Sequence, residues 1–333
     1  MKEKIDFIIT WVDNTDKEWQ ENKKKYSKSN SDDESNSIIR YRDFGTLKYW
    51  FRGIEKNANW VNKIYFVTCG QTPDWLNTNN SKLVMVNHED YIPKEYLPTF
   101  NSNVIEIFLN RIQGLSEKFV YFNDDCFIFN KISESYFFED EIPKDALVFN
   151  AVSVKDKNNI IEHTVLNNLE ILSKHFNKND VVRNNRRKIY TMKYGKEIIK
   201  SVLLFPWKYF TGIKNYHTAI PYLKSTWNEV WNKEEKALNE VGKNKFRTKE
   251  DINHWIFRYW QLFKGKFKPT SNKKNIYYDL RNDNKEFFNK IEKGKINIAC
   301  INDSNEDLEY EKVKKEVLER IEKIFPNKSE FEK

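Results

Sequence analysis

The sequence predicts an α/β fold, a mostly parallel sheet with helices on its faces, and three observations carry that expectation. Short apolar runs rich in β-branched and aromatic residues recur at Ile5–Val12, Lys63–Thr68 and Leu83–Val86, each too short for a helix and apolar on both sides, as strands buried between two layers are. Between the first two runs, Phe44, Leu47, Trp50, Phe51 and Ile54 recur at helical spacing. That rhythm of strand, helix, strand requires crossover connections and a parallel sheet.

The elements follow in order. The first strand ends in the polar loop Asp13-Asn14-Thr15-Asp16, at the carboxyl edge where open α/β sheets bind ligands. Residues 17–37 are rich in Lys, Ser, Asn and acids with little apolar content, which reads as a mobile loop. The helix that follows is expected over Ile39–Lys56, with Arg40, Arg42 and Arg52 on its polar faces. A further helix begins at Ser102, read as its N-cap, with Val104, Ile105, Phe108, Leu109 and Ile112 as the apolar stripe. Ser102, Glu106 and Asn110 are spaced by four and share a face. A Ser and a Glu at a helix start suit a phosphate with a metal or sugar hydroxyl, and equally an ordinary cap with a dipole-matched acid.

The run Phe119–Phe129 is apolar except for Asn123, Asp124 and Asp125. Two adjacent carboxylates in a buried strand carry a desolvation and repulsion cost that a divalent cation or a cationic ligand offsets most directly. A turn is the plainer reading, although the run resumes without glycine or proline. Residues 151–205 read as a helical insertion within a single domain spanning 1–333, and Arg183–Lys188 as a solvated basic face. His217 lies among aromatics, where a histidine is either structural or catalytic. Thr248 and Asp251 approximate a capping box, placing Arg247 just before a helix N-terminus as an anion site. Glu311–Phe325 has apolar positions at helical spacing and is expected to pack on the core, a membrane-lying helix being the alternative.

Composition excludes several classes. With 39% hydrophobic and 15% aromatic residues in 333, the chain buries a large core. The formal charge of +8 comes from lysines spread along the chain without a nucleic-acid motif, so no nucleic-acid partner is expected. Three cysteines without paired spacing suggest neither a disulfide framework nor a zinc site. There is no signal-peptide pattern and no apolar run near the ~20 residues that span a bilayer, hence an expectation of cytoplasmic residence. No Walker loop, dinucleotide fingerprint or kinase signature is present. Strand-end acids, a histidine and arginines near helix starts suit transfer of a sugar or phosphoryl group from an activated nucleotide donor.

Several blocks, in order, resemble the Stealth family of sugar-phosphate transferases: Asp6-Phe-Ile-Ile-Thr-Trp-Val-Asp13, Arg40-Tyr-Arg-Asp43, Trp60 through Thr68, Leu97-Pro-Thr-Phe-Asn-Ser102, Phe119 through Asp125, Tyr216-His217 and Phe246-Arg-Thr-Lys-Glu-Asp251. Residues 151–205 are the main stretch that does not align. The resemblance implies a Rossmann-like, glycosyltransferase A-like sheet. It also implies transfer of a hexose-1-phosphate from a UDP-hexose to a glycan hydroxyl with release of UMP, supported by Mg²⁺ or Mn²⁺. The implied functional residues are Ser102, Glu106, Asp125, His217 and Arg247, with Trp11 and Asp13 near the uridine nucleotide and Arg40 near the donor phosphates. Asp124 joins Asp125 as a metal-ligand candidate, Asn123 is a substrate-binding candidate, and His217 is the first choice of base with Glu106 or Asp125 in reserve. The expected setting is bacterial surface-polysaccharide synthesis on a lipid-linked glycan at the inner membrane face, where net positive charge is compatible with peripheral association. The competing enzyme class is a glycosyltransferase that attacks the anomeric carbon and releases UDP. A binding scaffold without turnover is the non-enzymatic reading.

Overall fold

The computed structural model describes residues 4–27, 42–154, 159–304 and 307–333. The first half contains β1 (Ile5–Thr10), α1 (Lys17–Tyr26), α2 (Leu47–Asn57), β2 (Ile64–Thr68), β3 (Leu83–Asn87), α3 (Ser102–Ile107), β4 (Lys118–Asn123), β5 (Cys126–Ile128), β6 (Phe138–Glu139) and β7 (Ile142–Asp145). The second contains α4 (Ile160–His175), α5 (Lys178–Ile189), α6 (Ile198–Leu203), β8 (Ile220–Leu223), α7 (Lys224–Gly242), α8 (Trp255–Phe263), β9 (Lys268–Pro269), β10 (Asn275–Asp279), α9 (Lys285–Glu292), β11 (Ile298–Asn302) and α10 (Tyr310–Ile324).

The main sheet runs β3-β2-β1-β4-β8; its first four strands are parallel and β8 is antiparallel at the edge. Successive side chains of a strand point to opposite faces, and the central strands are apolar on both. Ile8, Phe119 and Tyr121 face a core made with α3, α4, α5, α7 and α8. Phe7, Ile9, Val120 and Phe122 face the other, made with α2, α9, α10 and the small sheet β10-β11-β5. The predicted α/β architecture, a mainly parallel sheet between helical layers, is thus present.

Local expectations differ in instructive ways. The first half of the expected 17–37 loop is helix α1, capped by Asp16, which accepts from the Trp19 amide at 3.1 Å. Trp19 meets the Phe100 ring edge-on. Capping and the contacts of Trp19 and Tyr26 with Phe100 make this helix, so no apolar period announced it; residues 28–37 lie outside the described residues. The helix expected from Ile39 begins only at Leu47. Gly45 sits at φ +71° and donates its amide to Asp43 Oδ1, a turn that breaks the helical path. Arg52, expected on a polar face, is buried and bidentate to Glu332, because the chain end folds back onto α2.

Asn101, not Ser102, caps α3. That helix ends at Ile107, so Asn110 leaves the expected row and donates to Asn228 Oδ1 instead. The capping box at Thr248 is not formed. Asp251 is wholly buried and accepts five hydrogen bonds, from the Asn101, Asn103 and Asn244 side-chain amides and from the Thr248 amide and hydroxyl. It acts as a hub between segments, and α8 starts only at Trp255. Arg247 therefore sits in a loop rather than at a helix N-terminus. The stretch 151–205 carries α4, α5 and α6, and α4 and α5 bury Leu169, Leu172, Val181 and Ile189 in the same core as Trp227 and Phe257 of α7 and α8. The stripe of α10, Val313, Val317 and Ile321, is buried in the opposite core.

Candidate active site

The chain passes from β1 outward to β2 and β3 and then returns to place β4 on the other side of β1. At such a switch point the loops leaving neighbouring strands diverge and open a crevice at the carboxyl edge. Thr10 and Asn123 are register partners at that edge. Beyond Thr10, Trp11 stacks on Phe66, the Asp13 amide donates to Gln71 Oε1 at 2.7 Å, and Asp13 Oδ1 accepts from the Thr15 amide and hydroxyl. The loop expected to receive the nucleotide is therefore tied to the one after β2. Arg40 lies outside the described residues.

Beyond Asn123, which is exposed, the chain turns through Asp124 and Asp125 and enters β5 of the second sheet. The turn reading is correct, and it marks the junction of two sheets. Asp124 is reached by solvent and Asp125 is half-buried, yet protein surrounds both closely, as at the floor of a cleft. Burial pushes the Asp124 carboxyl up to about 7, reinforced by Asp125 and Asp43. Burial pushes Asp125 to about 6, opposed by the Cys300 thiol, which donates to Oδ2 at 3.1 Å. Asp125 Oδ1 is buried and receives no hydrogen bond.

Glu106, 7% exposed, lies under the same edge. The Tyr121 hydroxyl is 3.2 Å from Glu106 Oε1 and 3.0 Å from Thr10 Oγ1, which links β1, β4 and α3. Burial pushes the Glu106 carboxyl up to about 7, opposed by the Arg247 guanidinium and the Tyr121 hydroxyl. Arg247 Nη2 donates to Ser102 Oγ at the start of α3. On the other side, His254 Nε2 is 3.8 Å from Glu106 Oε2. The Tyr222 hydroxyl lies 2.8 Å from His254 Nδ1 and 3.1 Å from the His254 carbonyl, which fixes the ring so that Nε2 faces Glu106. Burial, with His217 and Arg258 nearby, pushes the His254 pKa down to about 3, so this ring is neutral.

His217 adopts φ +46°, the left-handed region that costs a non-glycine residue energy. Its ring is held between Trp255 and Tyr277, with centroids 5.1 Å away in each case, and remains exposed. Crowding by protein lowers its pKa, opposed by Asp279. His217 and His254 interact electrostatically, as do Asp124 and Tyr121. Arg247 and Ser102 therefore form one bonded pair with Glu106 in electrostatic reach of the guanidinium, Asp124 and Asp125 a second group reached through Tyr121, and His217 a third reached through His254.

Comparison with known proteins bears on this edge directly. Residues 3–31 match Stealth protein conserved region 1, and residues 40–145 match conserved region 2. A capsular polysaccharide phosphotransferase of Streptococcus pneumoniae, WcwK, is 46% identical over 99% of this chain and 98% of its own length. The chain belongs to the Stealth family. An exopolysaccharide phosphotransferase of Lactiplantibacillus plantarum, cps2G, is 38% identical over 99% of this chain and 96% of that protein. The receptor polysaccharide phosphotransferase WefC of Streptococcus oralis is 39% identical over 99% of both chains. Among solved structures, galactosyltransferase LgtC in complex with donor and acceptor sugar analogues aligns with a TM-score of 0.41 at 11% identity, covering 96% of this chain and 95% of that one.

In this Stealth chain, Tyr121, His254, Asp43, Asp279 and Cys300 join the site without having been singled out in the sequence. Tyr121 had a usable signal, since it alternates in β4 onto the Glu106 side. His254 had none, because its role comes from Tyr222 and Glu106, both distant in the chain. A hard divalent cation fits the acidic turn: Asp125 Oδ1 is an oxygen without a partner, Asp124 is exposed beside it, and their repulsion falls when a cation lies between them. Among the described residues no group of three or more His, Cys, Asp or Glu forms a preassembled metal cage.

Proposed function

We propose that this chain transfers a hexose-1-phosphate from a UDP-hexose to a hydroxyl of a lipid-linked glycan, forming a phosphodiester and releasing UMP, in the synthesis of a bacterial surface polysaccharide at the cytoplasmic membrane face. The observation that carries the reading is the placement of Asp124 and Asp125 with the Arg247, Ser102 and Glu106 group at one sheet edge, in a chain whose full-length relatives are named polysaccharide phosphotransferases. No helix among the described residues is long and apolar enough to cross a membrane.

Phosphoryl transfer needs alignment and charge stabilisation more than covalent help from the protein. In this reading the uridine lies along Trp11 and Asp13, and Asn123, exposed at the end of β4, faces the donor. Asp125 and Asp124 hold Mg²⁺ or Mn²⁺, which draws charge from the diphosphate when bound. Arg247, steadied by Ser102, and Arg40 neutralise non-bridging oxygens. The acceptor oxygen bonds to the donor's β-phosphorus, the bond from that phosphorus to the bridging oxygen breaks, and UMP leaves with that oxygen. His217 takes the acceptor proton: it is exposed, and its lowered pKa leaves the ring unprotonated at neutral pH. Glu106, buried behind Tyr121, Arg247 and His254, positions the guanidinium.

The test is nucleotide release from a panel of UDP-sugars with Mg²⁺ or Mn²⁺ and a lipid-linked glycan acceptor, resolving UMP from UDP. Acceptor-dependent UMP is expected, and it is lost in Asp125→Asn. UDP as the product would make the protein a glycosyltransferase and overturn the reading.

A further inference from the structure

Half of the large apolar side chains exposed among the described residues lie between 199 and 209: Ile199, Val202, Leu203, Phe205, Trp207 and Tyr209. Trp207 is 57% exposed, Leu203 65% and Tyr209 68%. This is a built surface rather than a loose loop. The inner face of α6 is anchored by Ser201, which is fully buried and accepts from the Phe149 amide, and by Ile198, which packs against the buried cluster of Ala146, Val148 and Tyr194. Ile199, Val202 and Leu203 are left on the outer face. The turn that follows is held by one buried cation. Lys178 of α5, 3% exposed, donates to the carbonyls of Leu204, Phe205 and Trp207 at 2.7, 3.4 and 2.5 Å. With those carbonyls drawn inward onto the ammonium, Leu204 packs on the core while the side chains of Phe205, Trp207 and Tyr209 stay exposed.

Lysines are interleaved with these apolar groups. Lys196, Lys200 and Lys208 are exposed, and Lys208 stands over the Tyr209 ring. The one acid within 196–209, Glu197, is engaged by Lys200 and Lys214. Aromatic rings prefer the interface between lipid and water, and lysines extend their heads to anionic phosphates while their stems cover apolar surface. A protein partner is disfavoured by the same composition, since lysine is depleted from the centres of protein interfaces. We propose that residues 196–209 form a docking surface that seats on an anionic lipid bilayer, with Leu203, Phe205, Trp207 and Tyr209 entering the head-group layer. Ile198 and Tyr216, the neighbour of His217, pack against the same buried cluster of Ala146, Val148 and Tyr194. On the reading of a lipid-linked acceptor given above, docking presents that acceptor to the crevice.

The experiment is flotation of the full-length protein with vesicles of phosphatidylglycerol and phosphatidylcholine in equal parts, against phosphatidylcholine alone. The wild type is expected to float with the anionic vesicles and to be released by salt. The double variant Leu203→Ser, Trp207→Ser is expected to bind about tenfold or more weakly, with an unchanged melting temperature and unchanged UMP release on a water-soluble acceptor. Lys196→Gln, Lys200→Gln and Lys208→Gln combined provide a second variant whose fold is not at risk, and each lysine removed is expected to weaken binding about fivefold at low salt. The proposal is overturned if the wild type does not float, if both variants float as well as it does, or if sedimentation shows a Trp207-dependent dimer that assigns the face to a second copy. Flotation without nucleotide release from any UDP-hexose supports the surface and removes only the functional reading.

Discussion

Asp125 and Glu106 are both carboxyls held above their ordinary range, and they differ in what faces them. Asp125 keeps one oxygen without a partner beside Asp124, and on the proposed reading that oxygen holds the cation. Asp125→Asn keeps the shape and removes the charge, so UMP release is expected to fall by at least about 100-fold. Its melting temperature should stay equal or rise, because a repulsive buried charge is gone. Paired activity and thermal-melt measurements check this, and a large drop in melting temperature would assign Asp125 a structural role instead. Glu106 faces Arg247, Tyr121, Tyr91, neutral His254 and, on its own helix, Ser102. Its pKa in the folded chain is about 7 against an ordinary 4.5, so the fold favours the protonated form. That contribution is complete below about 4.5 and is lost as pH rises through about 7. Glu106→Gln imitates the protonated form. It should match the wild type near pH 4.5 and exceed it at pH 8 by an amount on the order of 3 kcal/mol. Equal unfolding free energies at pH 8 would show that Arg247 and Tyr121 already hold an ionised carboxylate. Sequence resemblance pointed to Asp125, Glu106, His217 and Arg247, whereas the partners that set their protonation are supplied by other strands and loops.

At the scale of elements, the loop from Asn244 to Asn253 shows how a correct residue choice can carry a wrong local reading. Thr248 and Asp251 have the spacing of a capping box, and the spacing is indifferent to which backbone the carboxylate serves. In the folded chain Asn101 and Asn103 at the start of α3 take Asp251 as their acceptor, so the residue ties α3 to the Arg247 loop. Asp251→Ala strands five donors, three of them side-chain amides. A loss on the order of 3 kcal/mol is expected in chemical denaturation, with a raised KM for the UDP-sugar because Arg247 loses its support. A loss below about 1 kcal/mol would show that water replaces the hub. The run Phe119–Phe129 is a second case. Its apolar pattern is continuous, yet β4 and β5 belong to different sheets, and only the pairing of Cys126, Phe127 and Ile128 with β11 reveals the change.

Across the whole molecule, the main sheet separates two cores, and the crevice lies where loops from both faces meet at its carboxyl edge. A nucleotide bound there would bridge the loop after β1, the acidic turn after β4 and the loop before α8. UDP-hexose with Mg²⁺ or Mn²⁺ is therefore expected to raise the melting temperature, by the equivalent of about 2.7 kcal/mol at a hundred times the dissociation constant. Chelation of the metal should reverse most of the rise, and Asp125→Asn should blunt it. A shift of equal size without metal, checked by thermal melts in the presence of a chelator, would place the cation outside the donor site.

The sequence by itself determined the strand and helix alternation, the burial of the central strands, the α10 stripe and the carboxyl edge as the place to look, because each depends on local apolar period or on residue type at one position. It also carried the family, since the matching blocks are contiguous. The tertiary structure alone decided the strand order that puts β4 beside β1, the placement of Asp251 and Arg247, the burial of neutral His254 beside Glu106 and the lysine-held turn before Trp207. Those features arise from contacts between residues far apart in the chain, where desolvation and hydrogen-bond geometry, rather than spacing, set what each side chain does.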